Sequence, residues 1–243
     1  MSQYSRQIKI AGIGKQGQEK ITDASIAIIG LGGIGVPILT YLAAAGIGEI
    51  MLIDDDLVEE SNLARQVIYK KSDIGNFKVD VAYDYILRHF PSCKILPVNK
   101  RFVAIDDHVI PKQYQYIIDA TDNFKTRFLI ADYCHKHAKI LFSGALQEAT
   151  GYYGVYKSGI DKNLPCFRCM HQKMNKVTDE RACFNQGVLG PAVATIGTMI
   201  ATELLKEVTG FGADIAGKLV NIDFLRNKHR VIKLSKDSEC EFC

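Results

Sequence analysis

The sequence is defined first by what it lacks. Its opening residues, Met1-Ser-Gln-Tyr-Ser-Arg6, are polar where a secretory signal carries an apolar core, so the expectation is a protein that stays in the cytoplasm. A membrane span is missing too. The most apolar stretch, 190–205, is short and interrupted by Thr195, Thr198, Thr202 and Glu203, which predicts a buried helix. With 30 basic residues against 27 acidic, the net charge of +3 is far from the concentrated surplus of a nucleic-acid binder. Seven cysteines leave one over after any pairing, which argues against a disulfide framework and for a reducing compartment with metal ligands. The six histidines show no ligand spacing, and His135 with His137 are expected to end a helix. No repeat, low-complexity tract or linker divides the chain, so its 243 residues are expected to form one domain.

What is present begins with alternation. Short apolar runs at 25–29 and 49–53 flank an apolar, glycine-terminated stretch at 34–45, the pattern of a βαβ unit. Strands expected at 95–98, 116–118 and 139–142 alternate with helices at 78–89 and 124–137, which predicts a parallel sheet covered on both faces. Beyond Gly144 the stretches 152–157, 218–224 and 229–234 read as hairpin strands. The fold class expected is therefore α/β, a mostly parallel sheet continued by antiparallel strands. Residues 1–150 form one half; residues 151–243 supply the antiparallel strands, a crossing loop and a cysteine site. The loop, 159–190, is polar, broken by Pro165 and without periodicity, and a loop of that length is a candidate lid or substrate crossing.

Gly30-Leu-Gly-Gly-Ile-Gly35 has the form G-x-G-x-x-G, directly after the first expected strand and at the start of a helix. Gly30, Gly32, Gly33 and Gly35 would let the backbone approach a nucleotide, while free N–H groups and the positive helix end favour its phosphates. The plainer alternative is a glycine turn that permits tight helix packing. Asp54 stands 24 positions after Gly30 at the end of the second strand, where an acid accepts ribose hydroxyls. That pair alone says only "nucleotide" and favours NAD or FAD.

Ser61-Asn-Leu-Ala-Arg-Gln66 and Lys78 are what an oxidoreductase does not need. Two cations close behind the acid suit a triphosphate, although Arg65 and Lys78 taken singly read as solvated surface charges. Asp119-Ala-Thr-Asp-Asn123 falls at the C-terminal edge of an expected strand, where parallel sheets bind ligands. Asp122 there suits either a Mg²⁺ ligand or the N-cap of the helix from Phe124. Cys166-Phe-Arg-Cys169 and Cys240-Glu-Phe-Cys243 each give the bite of one edge of a tetrahedral Zn²⁺ site, which would tie the tail to the crossing loop; a redox dithiol would need only one pair. Cys93 and Cys134 are expected in the core, as are Tyr152, Tyr153 and Tyr156.

Together with Tyr4-Ser-Arg-Gln7 and Gly75-Asn-Phe-Lys78, these motifs resemble the ThiF/MoeB/HesA family, bacterial relatives of ubiquitin-activating enzymes, in the family's order from Tyr4 to Cys243. The resemblance implies a Rossmann-like nucleotide-binding domain and adenylation by MgATP of the C-terminal glycine of a ubiquitin-like sulfur carrier, in thiamine or molybdopterin biosynthesis. It implies that Gly33 and Asp54 contact the nucleotide, with Ser61, Asn62, Arg65, Lys78 and Asn123 around its ribose and phosphates. Asp122 would bind Mg²⁺, the four paired cysteines Zn²⁺, and Arg6 would reach the γ-phosphate bound by a neighbouring subunit of a homodimer. Cys183, in a polar stretch beside Arg181, resembles the cysteine that some members link covalently to the carrier. Two departures stand out: Ala64 replaces a commonly polar residue, and no sulfurtransferase-like domain follows Cys243, so sulfur is expected from a separate protein. Rival readings are an NAD-dependent oxidoreductase, an ATP-holding pseudoenzyme, and adenylation of another acceptor such as a modified tRNA base or a peptide.

Overall fold

The computed structural model describes residues 3–102, 110–171 and 187–243. Strands β1 (Ser25–Ile29), β2 (Glu49–Ile53), β3 (Lys94–Val98), β4 (Tyr116–Asp119), β5 (Ile140–Gln147), β6 (Thr150–Tyr156), β7 (Lys218–Asp223) and β8 (Lys228–Lys233) form one sheet, ordered β3-β2-β1-β4-β5-β6-β7-β8. From β3 to β5 the neighbours run parallel, and from β5 to β8 antiparallel, the mixed sheet expected from the sequence. The chain steps from β1 outward to β2 and β3, then returns to lay β4 on the other side of β1. This reversal opens a crevice at the C-terminal ends of β1 and β4, the place where open α/β sheets bind ligands.

The helices are α1 (Ser5–Ile8), α2 (Gly14–Asp23), α3 (Gly35–Ala45), α4 (Lys78–His89), α5 (Phe124–Lys136), α6 (Phe167–Met170) and α7 (Gly190–Thr209). One core joins α3, α4 and α7 to the sheet, and in it Val36, Ile38, Leu39 and Leu42 of α3 are fully buried. A second core on the opposite face packs Ile130, Tyr133 and Cys134 of α5 against β1, β2, β4 and β5. Apolar runs without alternation follow from this double coverage, since β1 and β2 are buried on both faces beyond their first residue. Among the described residues no helix is long and apolar enough to cross a membrane.

Several expectations need extension. The helix read at 190–205 continues to Thr209, where Gly210 at φ +72° ends it in the left-handed conformation. The strand read at 139–142 runs to Gln147, because its second half is paired by the antiparallel neighbour β6. Helices α1 and α2 have no counterpart in the sequence reading, and the expected loop 159–190 contains α6. Cys183 and the rest of that loop from 172 to 186 lie outside the described residues.

Candidate active site

The crevice is built around the turn from β1 into α3. Gly30 adopts φ +95°, and a Cβ on it would lie 2.7 Å from the carbonyl oxygen of Ala120, so only glycine lets β1 and β4 come so close here. Gly35 is equally constrained, since a Cβ would sit 2.0 Å from the Gly30 oxygen. The plainer reading of the glycines, tight packing, is therefore correct for these two. Gly33 is also closed from one side, by Val193 of α7 and the Arg65 stem. Gly32 differs: a Cβ there would have only the Gln66 amide nitrogen near it, at 3.9 Å, so the turn is open at this point.

Asp54 faces the same turn from the end of β2. One carboxylate oxygen accepts the Leu31 N–H at 2.6 Å and the other the Asp56 N–H at 2.8 Å, which fixes the carboxylate while each oxygen keeps accepting capacity for a hydroxyl. Burial raises the Asp54 pKa from its ordinary value, against the opposing pull of the Lys78 charge. Lys78 opens α4 and is not the solvated cation that its residue type alone suggests. Its side chain is 6% exposed, and its ammonium donates to Asp56 at 2.7 Å. Tyr69 donates its hydroxyl to the Leu31 carbonyl at 3.1 Å and packs the other side of the turn.

Residues 61–66 fold as a tight turn. Asn62 is buried and committed locally, accepting the Glu59 N–H at 3.2 Å and donating to Ser61 Oγ at 3.3 Å. The hydroxyl of Ser61 in turn donates to Glu59. Arg65 crosses over Gly33 and holds the Ser61 carbonyl at 2.7 Å. Both expected cations thus belong to elements that border the glycine turn.

The segment after β4 completes the crevice. Asp119 is fully buried and structural, accepting from Thr121 and from Ser143 Oγ. Asn123, not Asp122, caps α5, accepting the Thr126 N–H at 2.9 Å. The expected capping role of Asp122 is thereby corrected: position 123 carries the extended backbone that a cap needs, and Asp122 is left exposed at the sheet edge. Arg127, unread in the sequence, is buried and bridges the carbonyls of Thr121 and Gly144, tying the segment after β4 to the middle of β5. Arg6 is exposed on α1 and is not brought to this crevice, because Gln7 anchors α1 to the Ala45 carbonyl at the opposite end of α3.

A separate cluster forms where the C-terminal tail meets α6. The thiols of Cys166, Cys169, Cys240 and Cys243 lie within 4.8 Å of one another, with sulfur separations of 3.7, 3.7 and 3.5 Å along three edges. Zinc bonded to sulfur at about 2.3 Å in a tetrahedron requires edges of about 3.8 Å, so the donor set fits Zn²⁺. Arg168, between the first two cysteines, pairs bidentately with Asp132 of α5 at 2.6 and 2.7 Å and lies over Phe128 and Phe242. Cys93 and Cys134 are buried as expected, and burial pushes the Cys93 thiol up to about 12.

Known proteins share this architecture. The chain is 33% identical over 245 residues to the "Sulfur carrier protein adenylyltransferase" of Thermus thermophilus, covering 100% of this chain and 90% of that protein. It is 36% identical over 244 residues to the "Adenylyltransferase and sulfurtransferase MOCS3" of Drosophila yakuba, covering 100% of this chain but only 53% of the relative. Like that one, several relatives are about twice as long as the matched region. Among solved structures, E. coli MccB with ATP superposes with a TM-score of 0.82 at 23% identity over 93% of this chain and 68% of that one, a likeness of fold. The ThiF family model matches residues 4–242, and the chain belongs to the ThiF family.

Proposed function

We propose that this chain uses MgATP to adenylate the C-terminal glycine of a ubiquitin-like sulfur-carrier protein. The observation that carries the reading is the pairing of an open glycine turn and a fixed ribose-type acid with two cations, Arg65 and the buried Lys78. A dinucleotide oxidoreductase has no use for both cations. In this reading Asp54 receives the ribose hydroxyls, the N–H groups of the glycine turn and Arg65 receive phosphate oxygens, and Lys78 exchanges Asp56 for the triphosphate. Asn62, Ser61 and Asn123 hold the turns that carry these groups.

The carrier's terminal carboxylate is already ionised at neutral pH, so no strong base is needed. One of its oxygens attacks the α-phosphorus, the bond to the β-phosphate oxygen breaks, and the electron pair leaves with pyrophosphate. Catalysis then rests on alignment and on charge stabilisation. The exposed carboxylate of Asp122 stands at the sheet edge as the Mg²⁺ ligand, and the four cysteines as a closed structural zinc site. A separate sulfur donor, a homodimer and a reducing, cytoplasmic setting complete the proposal.

Pyrophosphate exchange into ATP, measured with thiamine-type and molybdopterin-type carriers, tests it. Exchange that depends on one carrier and falls at least about 100-fold in Arg65→Ala and Asp122→Ala is expected. Unchanged exchange in both variants, or exchange driven by a peptide or a modified tRNA instead of a carrier, would remove the reading.

A further inference from the structure

Strand β8 ends the sheet and, among the described residues, has a neighbour on one side only. Every residue of it is exposed, Val231 to 66%. The Leu234 N–H donates to the Gly217 carbonyl at 2.8 Å, and counting along the β7–β8 register from this bond fixes which groups of β8 face outward. Antiparallel pairs alternate, so Arg230 and Ile232 turn their N–H and C=O groups to β7, while Val231 and Lys233 present theirs to the free edge. The same alternation makes Lys218 and Lys233 an opposed pair of the closely spaced kind, two like charges facing each other across the ladder. Among the described residues neither lysine has an acid as its partner: Glu207 and Asp214 are taken by Lys157, Asp223 by Arg226 and Asp161 by Asn163. Beside the two lysines lies a hollow of about 330 Å³ with apolar walls from Leu164, Pro165, Ala216, Val231 and Leu234. Gly217, at φ +75°, brings the chain so near Leu164 that a Cβ would stand 3.3 Å from it.

We propose that this edge docks an extended segment of a partner protein, which adds to β8 as a further strand and carries a carboxylate and, two residues away, an aliphatic side chain. The carboxylate faces Lys218 and Lys233, the aliphatic side chain lies beside Val231 at the hollow, and the segment's backbone meets the outward N–H and C=O groups of Val231 and Lys233. Both side chains fall on one face because the period of a strand is two residues. Lysines on an edge strand ordinarily keep other strands away. That task needs neither two lysines opposed on one rung of the ladder nor an apolar hollow next to them, and one lysine moved elsewhere would serve it without the repulsion. A carboxylate between the two ammonium groups relieves that repulsion, so the partner is acidic as well as apolar. The edge is separate from the nucleotide crevice: β8 is four strands from β4, about 19 Å across the sheet, and the added strand does not cover the crevice.

Fluorescence anisotropy with the labelled hexapeptide Thr-Glu-Thr-Val-Thr-Thr and its Gln-for-Glu analogue, on wild type, Lys233→Glu and Val231→Thr, tests the proposal, with thermal unfolding of each protein. Wild type should bind the acidic peptide saturably below about 1 mM. The analogue on wild type, and the acidic peptide on Lys233→Glu, should bind at least about tenfold more weakly, and Val231→Thr should lose about threefold or more. Lys233→Glu turns the opposed lysines into an oppositely charged pair, so its melting temperature should hold or rise by up to about 4 °C while binding is lost. No saturable binding by wild type, equal binding of the analogue, or equal binding by Lys233→Glu overturns the proposal. So does a lower melting temperature in Lys233→Glu, which would deny the repulsion between the lysines. Phosphatidylglycerol vesicles and a single strand of oligo(dT) are the control ligands. If either is held through Lys233 by a wild type that ignores the peptide, the edge belongs to a lipid or nucleic-acid surface. Self-association that Lys233→Glu abolishes, again without peptide binding, would give it to a second copy of the chain.

Discussion

The Lys78–Asp56 pair separates stability from chemistry, because its two members are buried so differently. The lysine side chain is 6% exposed and the aspartate 62%. In Lys78→Met the aspartate left behind is hydrated, so the fold loses only a pair with an exposed partner, about 1 kcal/mol or 2–4 °C in melting temperature. The same change removes the cation proposed to neutralise the leaving phosphates, and pyrophosphate exchange should then fall about 100–1,000-fold. Asp56→Asn inverts the pattern. It leaves a buried ammonium with only the Asp54 charge for company, which should cost about 2–4 kcal/mol, while the cation stays available to the nucleotide. Exchange in this variant should stay within about tenfold of wild type. Differential scanning fluorimetry beside an exchange assay reads both quantities on one preparation. Should Lys78→Met keep exchange within about threefold of wild type, or melt below Asp56→Asn, the reasoning fails.

Other expectations are more local. Cys240→Ser should release zinc and lower the melting temperature by well over the few degrees of a surface change, since metal binding here would be folding free energy; zinc content of wild-type protein purified without chelator is the first measurement, and its absence would refute the site. Glu49 has a lowered pKa because Lys94, together with the Tyr114 hydroxyl at 2.8 Å, favours its charged form against burial. A depressed acid lends stability that is full above its unfolded value near 4.5 and is lost as pH falls through its folded value, so Glu49→Gln should narrow its gap to wild type as pH drops below that value. A gap that widens in acid would contradict this sign.

The motifs were legible because each sits where local geometry leaves few choices. G-x-G-x-x-G reports a turn in which Gly30 and Gly35 almost touch, and two C-x-x-C pairs report four sulfurs within 4.8 Å of one another. All eight strands were legible, the apolar β1 and β2 from their continuous runs and the exposed β8 from its place in a hairpin with β7. The partners of the motif residues were not legible. Asp56 stands two residues after Asp54, and nothing in the order of residues says that it, not solvent, meets Lys78. Asn123 and Asp122 are adjacent and both suited to capping, and the backbone angle at 123 decided between them. Arg127 matters through its burial between the Thr121 and Gly144 carbonyls, which come together only when β4 and β5 pair. Helices α1 and α2 escaped because α1 buries no residue and α2 only three.

The position of α1 gives the assembly its own argument. Tyr4 packs on Gly46 and Gln7 holds Ala45, so α1 is fixed at the C-terminal end of α3, while the glycine turn lies at the N-terminal end. Helix α3 has 11 residues, which separates those ends by about 16 Å. An arginine side chain spans less than half of that, so Arg6 cannot serve the nucleotide of its own chain. If it serves any nucleotide, a two-fold partner must bring one to it, in a species of twice 27.0 kDa. Co-expression of Arg6→Ala with Lys78→Met then has a quantitative outcome. Each homodimer is inactive, but every mixed dimer pairs the intact Lys78 of one subunit with the intact Arg6 of the other and so rebuilds one site of two. Random pairing makes half of the dimers mixed, and the preparation should recover about a quarter of wild-type exchange. A mixture no more active than its inactive parents would refute the in-trans role, and an Arg6→Ala homodimer as active as wild type would place the arginine outside the reaction.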